Sequence, residues 1–462
     1  MSDRISDTVN VLVPVGALGT GVRAADVEAG LAAGAHAIAC DAGSTDSGPA
    51  YLATGRSKYS RDAVKHDLRI LMLAQAAAGV PLLIGSCGTS GCDAALDWTV
   101  DIALEIAREE QLAPKIARLY SEQRIELLEA KIGERRIRPL APMTDSAPGL
   151  FSACDRVVAL MGPEPYMAAL QAGADIVLGG RTTDTAVIAA VPLLRGAGAG
   201  PAWHAGKIAE CGGLCTVNPR DGGVMVRVGV EAFAVEPLSG ANACTTETVS
   251  AHMLYENSDP FRLAEPGGVL DVTDAVYHTS GDRIVRVTGS RFEAAPYSMK
   301  LEGASASGFQ TIMFVGIQDP KVLAELDRFL AQMETALDMR VRATIGDAAG
   351  EFALSVRAYG WNAVSGRVIG EDEPAPREVG LLFTATAATQ EMATRIAKTC
   401  NPYFFHMPLD LGTELPSYAF PFSPAEIERG QVFDFRLNHV VLVEDPLELV
   451  RIEHIGVEME IG

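Results

Sequence analysis

Three short stretches of this sequence crowd glycine, small hydroxyls and carboxylates together: "DAGSTDSGP" (Asp41 to Pro49), "GSCGTSGCD" (Gly85 to Asp93) and "GGRTTDTA" (Gly179 to Ala186). A carboxylate among small neighbours can act as a general base, which makes Asp41 and Asp46 candidates for removing a proton next to a carbonyl. Cys87 and Asp93 are the candidates for the matching acid, or for polarising that carbonyl. Two thiols across a substrate, Cys87 and Cys92, would also suit a racemase. Arg181 beside Asp184 suits holding a carboxylate through the planar guanidinium fork. The hydroxyls of Ser44, Thr45, Ser86, Thr89, Ser90, Thr182 and Thr183, with the backbone N–H groups of the turns, can donate to the same anion. Each residue also has a plain structural alternative. Cys87 can be a small core residue, Ser90 or Asp93 a helix cap, Thr183 or Asp184 another cap, and Asp46 a loop residue.

Zinc is a further test, since Cys87, Cys92, Cys211 and Cys215 could together supply four sulfurs. Both pairs are spaced more loosely than the usual two-residue gap, and no histidine follows at ligand distance, so no metal is expected. "ECGGLCTVNPR" (Glu210 to Arg220) is another Gly-Cys turn of lower weight. His252 and His406 stand in distinctive surroundings, yet a lone histidine is more often structural than basic. Tyr51, Arg56, Lys58 and Tyr59 could close over a ligand or face solvent. No nucleophile elbow, phosphate-binding loop, zinc-protease helix or dinucleotide fingerprint occurs, and no cofactor is expected beyond a CoA thioester carried by the substrate.

The three stretches must be positioned by regular elements, and the first half alternates short apolar runs with helical patterns. "VNVLVPV", "AHAIACDAG", "VPLLIGSC", "PKIARLYSE", "DRVVALMG" and "GADIVLGG" read as strands, with "RAADVEAGLAAG" and "RDAVKHDLRILMLAQAAAG" as helices between them. Near-continuous apolar strands separated by helices imply a parallel sheet covered on both faces. Such sheets carry their functional groups just past the C-terminal strand ends, where all three stretches fall.

From about Gly222 the pattern becomes Val-rich and alternating, as antiparallel strands require, and "PKVLAELDRFLAQMETAL" reads as an amphipathic helix. "RVRATIG" and "EFALSVRAYG" read as strands. The Pro, Gly and acidic bias of Ser365 to Gly380 reads as a linker, followed by a strand, a helix and an apolar tail. The expected class is thus α/β: a mostly parallel domain over residues 1–221, an α+β domain over 222–364, and a linker with a small α+β domain over 365–462.

A chain of 462 residues is long enough for two or three cores. Its net charge of -21, with 38 Lys plus Arg against 59 Asp plus Glu, is spread along the sequence and excludes the basic footprint that nucleic acid requires. No apolar run is long enough for a membrane span and no export signal opens the chain, so a cytoplasmic protein with reduced thiols is expected. A homo-oligomer is also expected.

"VSAHMLYENSDPFRLAEPGGVLDVTDAVY", followed by "DRIVRVTGSRF" and "MKLEGA", resembles the acyclic terpene utilisation (AtuA) family over roughly Val11 to Gly360. The tail, with "NPYFFHMPLD" and "RLNHVVLV", is similar to a small domain that occurs as a separate partner protein beside that family. The resemblance implies a context, the breakdown of branched acids or their CoA thioesters, and no catalytic residues. The expected function is a hydratase or other lyase acting on a small carboxylate or acyl-CoA. A cysteine-dependent isomerase and a non-catalytic subunit of an acyl-CoA-processing complex are the alternatives.

Overall fold

The computed structural model describes residues 8–144, 149–257, 259–367 and 374–456. The chain divides into two compact units, Met1–Ser305 with Phe435–Gly462, and Ala306–Asp434.

The first unit is built on a ten-stranded sheet among the described residues. Its middle is parallel: Val9–Val13 pairs with Ala37–Asp41, that strand with Leu82–Gly85, and Ile176–Gly179 lies between Leu82–Gly85 and Lys115–Tyr120. Three of these strands, Ala37–Asp41, Leu82–Gly85 and Ile176–Gly179, are buried at every position and apolar but for the terminal Asp41. That is the pattern of strands covered on both faces.

The Val-rich strands past Gly222 extend this same sheet. Val224–Val228 runs antiparallel to Val9–Val13, and Ala232–Pro237, Ile284–Thr288 and Val276–Ser280 follow outward. The boundary read at residue 222 therefore falls inside one sheet. The cause is that Val9–Val13 is a parallel strand with a free edge, which an antiparallel partner can cover as well as a parallel one. At the opposite edge, Arg451–Gly456 of the tail pairs antiparallel with Lys115–Tyr120. "DRVVALMG" does form a strand, Arg156–Ala159, but it pairs antiparallel with Leu301–Ala304 outside the ten-stranded sheet.

Two helices hold the strand-end loops. Arg61–Ala78 is capped by Ser60, whose Oγ accepts the Ala63 N–H, and ends at Gly79 in the left-handed region. It buries Val64, Asp67, Leu68, Leu71, Met72 and Gln75, one face at helical spacing. Gln75 and, as the charged group, Asp67 are the polar members of that face. The Asp67 carboxylate accepts the backbone N–H groups of Gly19, Gly21 and Val22 at 2.8, 3.0 and 2.9 Å, fixing the loop after the first strand. Asp93–Glu109 packs Leu96, Val100, Ala103 and Ile106 inward.

In the second unit, residues 309–317 and Phe352–Tyr359 flank Val379–Ala387 in antiparallel order, covered by the helices Leu326–Ile345 and Gln390–Cys400 around Phe329, Met333, Phe383 and Phe404. "RVRATIG", expected as a strand, is the last part of the Leu326–Ile345 helix. Leu337, Val341 and Ile345 continue its buried stripe at intervals of four, so the helical period outweighs the β-branched content. Residues 368–373 of the expected linker lie outside the described residues, and its end, Val379 and Gly380, belongs to a strand. The boundary read at 364 falls within this unit. No helix among the described residues is long and apolar enough to cross a membrane.

Candidate active site

A cleft of ≈ 640 Å³ opens at the C-terminal ends of the parallel strands, with Asp41, Ser44, Asp46, Lys58, Asp184 and Cys211 in its wall. A second of ≈ 480 Å³ adjoins it, lined among others by Arg181, Thr183, Lys207, Glu265 and Lys300. Asp46, Asp184, Glu210 and Glu256 belong to both walls, so a ridge of carboxylates separates the two.

Asp41 ends its strand and is 4% exposed. One carboxylate oxygen, Oδ2, accepts the Gly43 N–H at 3.1 Å, while Oδ1 is buried with no hydrogen-bond partner among the described residues. Burial pushes this carboxyl well above the usual carboxylate range, and Asp184 adds to the rise while Arg181 opposes it. The neighbouring strand leaves the space: a Cβ on Gly85 would stand 2.8 Å from Asp41 Oδ1. Asp184, in the first turn of the Asp184–Leu194 helix, is raised in the same way by burial, against the pull of Arg181. Asp46 is exposed and accepts the Ser44 hydroxyl at 2.8 Å.

Arg181 is 4% exposed and its donors are largely spent within the fold. Nε donates to Glu302 Oε2 at 3.0 Å, and Nη1 to Ser86 Oγ, the Thr182 carbonyl and Asp184 Oδ1 at 3.1, 3.0 and 3.1 Å. Nη2 has one long contact, 3.4 Å to Ser44 Oγ. A bidentate grip on a substrate carboxylate would need donors this side chain has already placed. Glu302 also accepts Thr45 Oγ1 at 2.8 Å and pairs with Lys300, and Arg181 holds its carboxyl below the ordinary value despite burial. The cations left for an anionic ligand are Lys58 and Arg220, which line the larger cleft with no ion-pair partner among the described residues.

The loop Gly85 to Asp93 does different work from its neighbours. Cys87, Thr89, Ser90, Cys92 and Asp93 are in neither wall, and the first four are fully buried. Cys87 donates weakly to the Ile84 carbonyl, and burial pushes its thiol and that of Cys92 up, away from thiolate. Thr89 accepts the Lys58 N–H at 2.9 Å, and the loop docks on Gly179–Arg181 through the Ser86, Cys87 and Arg181 N–H groups. Asp93 is pushed up to about 6 by burial and by Glu122, whose carboxylate receives the Asp93 N–H. Of the four cysteines weighed for zinc, Cys87 and Cys92 sit in this buried loop, and only Cys211 is in the wall of either cleft.

The structure also assembles groups that spacing did not reveal. Glu265 accepts the hydroxyls of Thr183 and Thr185 at 2.9 and 2.8 Å and is pushed up to about 7 because burial outweighs those donors. Lys207 pairs with Glu210 deep in the wall. Cys211 follows Glu210, and Glu210 Oε, Cys211 Sγ and a ring nitrogen of His252 lie within 4.8 Å of one another. Thr182 is instead a packing residue, its hydroxyl 2.8 Å from Tyr166 Oη. Glu302 sits in "MKLEGA" and Glu265 in "RLAEPGG", and in both the signal available was a carboxylate inside an apolar strand pattern.

A family model described as the acyclic terpene utilisation family protein AtuA matches residues 49–227 and 232–431. The match runs through both units and takes in "NPYFFHMPLD" of the tail, while "RLNHVVLV" (436–443) lies beyond it. No curated protein and no solved structure matches the chain.

Proposed function

Because the chain belongs to the acyclic terpene utilisation family AtuA, we propose that it is a hydratase-type lyase acting on a branched, unsaturated carboxylic acid or its CoA thioester. In the dehydrating direction Asp41 takes the proton from the carbon next to the carbonyl. The hydroxyl on the adjacent carbon then leaves as water with a proton from Asp184. Hydration runs the same transfers backwards.

The observation that carries this reading is Asp41 itself, a residue of the larger cleft's wall whose Oδ1 is buried beneath it with no hydrogen-bond partner among the described residues. An unpaired carboxylate oxygen there is costly unless something arrives to use it. The raised values of Asp41 and Asp184 fit an acid–base pair, since two neighbouring carboxyls resist ionising together. Lys58 and Arg220 would attract the carboxylate, or the phosphates of CoA. The cysteine-based alternative fares worse, because Cys87 and Cys92 are buried outside both walls.

The test is turnover of branched 2-enoic acids and their CoA thioesters, followed as gain of one water by mass spectrometry and as deuterium uptake next to the carbonyl. D41N is expected to lower kcat by at least about 100-fold. Wild-type turnover by D41N would remove Asp41 from the chemistry. Turnover appearing only with an added partner protein would favour the non-catalytic subunit.

A further inference from the structure

We propose that Glu210, Cys211 and His252 form a binding site for one divalent transition metal ion of the zinc class, with its open coordination position facing the larger cleft.

The three residues supply three different ligand atoms, one carboxylate oxygen, one cysteine sulfur and one imidazole nitrogen, all within 4.8 Å of one another. Tetrahedral zinc with bonds of about 2.0–2.3 Å places its ligand atoms about 3.3–3.8 Å apart, so closing on an ion takes a contraction of roughly 1 Å. His252 adds an independent sign. It is 5% exposed, and its Nε2 is buried with no hydrogen-bond partner among the described residues. A buried imidazole nitrogen left unpaired costs free energy, and a metal ion would satisfy it.

The backbone holds the set in place. Glu210 and Cys211 directly follow the Ala199–Ala209 helix, and Gly212 turns the chain in the left-handed region. The Cys211 backbone packs so closely on Gly16 that a Cβ there would come within 2.7 Å of its carbonyl carbon. His252 is delivered by the end of the Thr246–Ala251 helix and stacks on Tyr255 with ring centroids 5.7 Å apart. Lys207 engages Oε1 of Glu210, so a monodentate bond through Oε2 keeps that pair.

Three protein ligands with a vacant fourth position is the arrangement of catalytic rather than structural zinc. Glu210 and Cys211 both line the larger cleft, where an ion could bind water or a carbonyl oxygen. Carboxylate and thiolate together balance the two charges of the ion, the thiol proton leaving to solvent. The mixed N, O and S set selects zinc or cobalt over magnesium or calcium, which prefer oxygen alone.

The experiment uses the full chain, freed of metal with a chelator and titrated with Co²⁺, then with Zn²⁺ in competition. One Co²⁺ per chain is expected, with the near-ultraviolet band of a cobalt–thiolate bond and visible bands of tetrahedral intensity. C211S is expected to abolish the ultraviolet band, and H252Q and E210Q to weaken binding by at least about 10-fold. Circular dichroism establishes that each variant is folded. Absence of stoichiometric Co²⁺ or of the thiolate band in the wild type would overturn the site, as would an unchanged spectrum in folded C211S. These readouts are independent of turnover, so they judge the metal site separately from the acid–base role of Asp41.

Discussion

Arg181 shows how one side chain can look like a ligand-binding group and be occupied by the fold. Its guanidinium carries five N–H donors, and Glu302, Asp184, Ser86 and Thr182 take most of them below the surface. Removing one partner of a buried pair leaves the other charge uncompensated, which costs about 3–5 kcal/mol, whereas replacing both costs less. R181M should therefore lower the unfolding free energy by about that amount in urea denaturation, and R181M with E302Q should lose less than the two single variants added together. Full additivity would mean that the pair is not the unit the geometry describes. A conserved fold with weakened substrate binding in R181M would instead return the arginine to ligand recognition.

Among the elements, the loop after the Leu82–Gly85 strand matters as a packing surface. Gly91 has φ +63°, and a Cβ on it would lie 2.2 Å from the Arg181 backbone nitrogen. No side chain fits there without pushing the loop that carries Arg181 and Asp184. G91A should cost about 1–3 kcal/mol from overpacking, with further strain from the left-handed backbone, and should lower activity by displacing Asp184. Thermal unfolding and turnover together check this. A stable G91A with normal turnover would mean that the contact relaxes without moving the site. The helix Arg61–Ala78 acts in parallel through Asp67, whose three backbone acceptor contacts set the Gly19–Val22 loop beside the cleft.

For the whole molecule, the carboxylates around the clefts make stability depend on pH. Glu265 has a folded value of about 7 against an ordinary 4.5, raised chiefly by burial. An acid raised in the folded state favours folding fully below its unfolded value and loses that contribution as pH rises through the folded value. Between about pH 5 and pH 8, the wild type should thus lose stability relative to E265Q as pH increases, measured by urea unfolding at fixed ionic strength. Parallel curves for the two proteins would show that Glu265 titrates normally. Glu302 works in the opposite sense: its value is lowered, so its contribution is present at neutral pH and fades in acid.

Composition and period alone determined that the chain is an α/β protein with parallel strands ending in Gly-hydroxyl-Asp loops, because burial on both faces writes continuous apolar runs into the strands themselves. The family resemblance in "VSAHMLYENSDPFRLAEPGGVLDVTDAVY" was legible for a related reason, being a contiguous segment. Local signals failed where pairing is non-local. Nothing near Val224 says that its strand covers the free edge of Val9–Val13, and nothing near Arg451 says that it closes the far edge on Lys115–Tyr120. The same holds for chemistry. Sequence placed Asp41 at a strand end, but only the fold set Asp184 beside it, used Arg181 for Glu302, buried Cys87 and Cys92, and brought Cys211 to His252 across forty intervening residues. Side-chain type is a property of the chain, while the partner that decides what the side chain can do is supplied by tertiary contact.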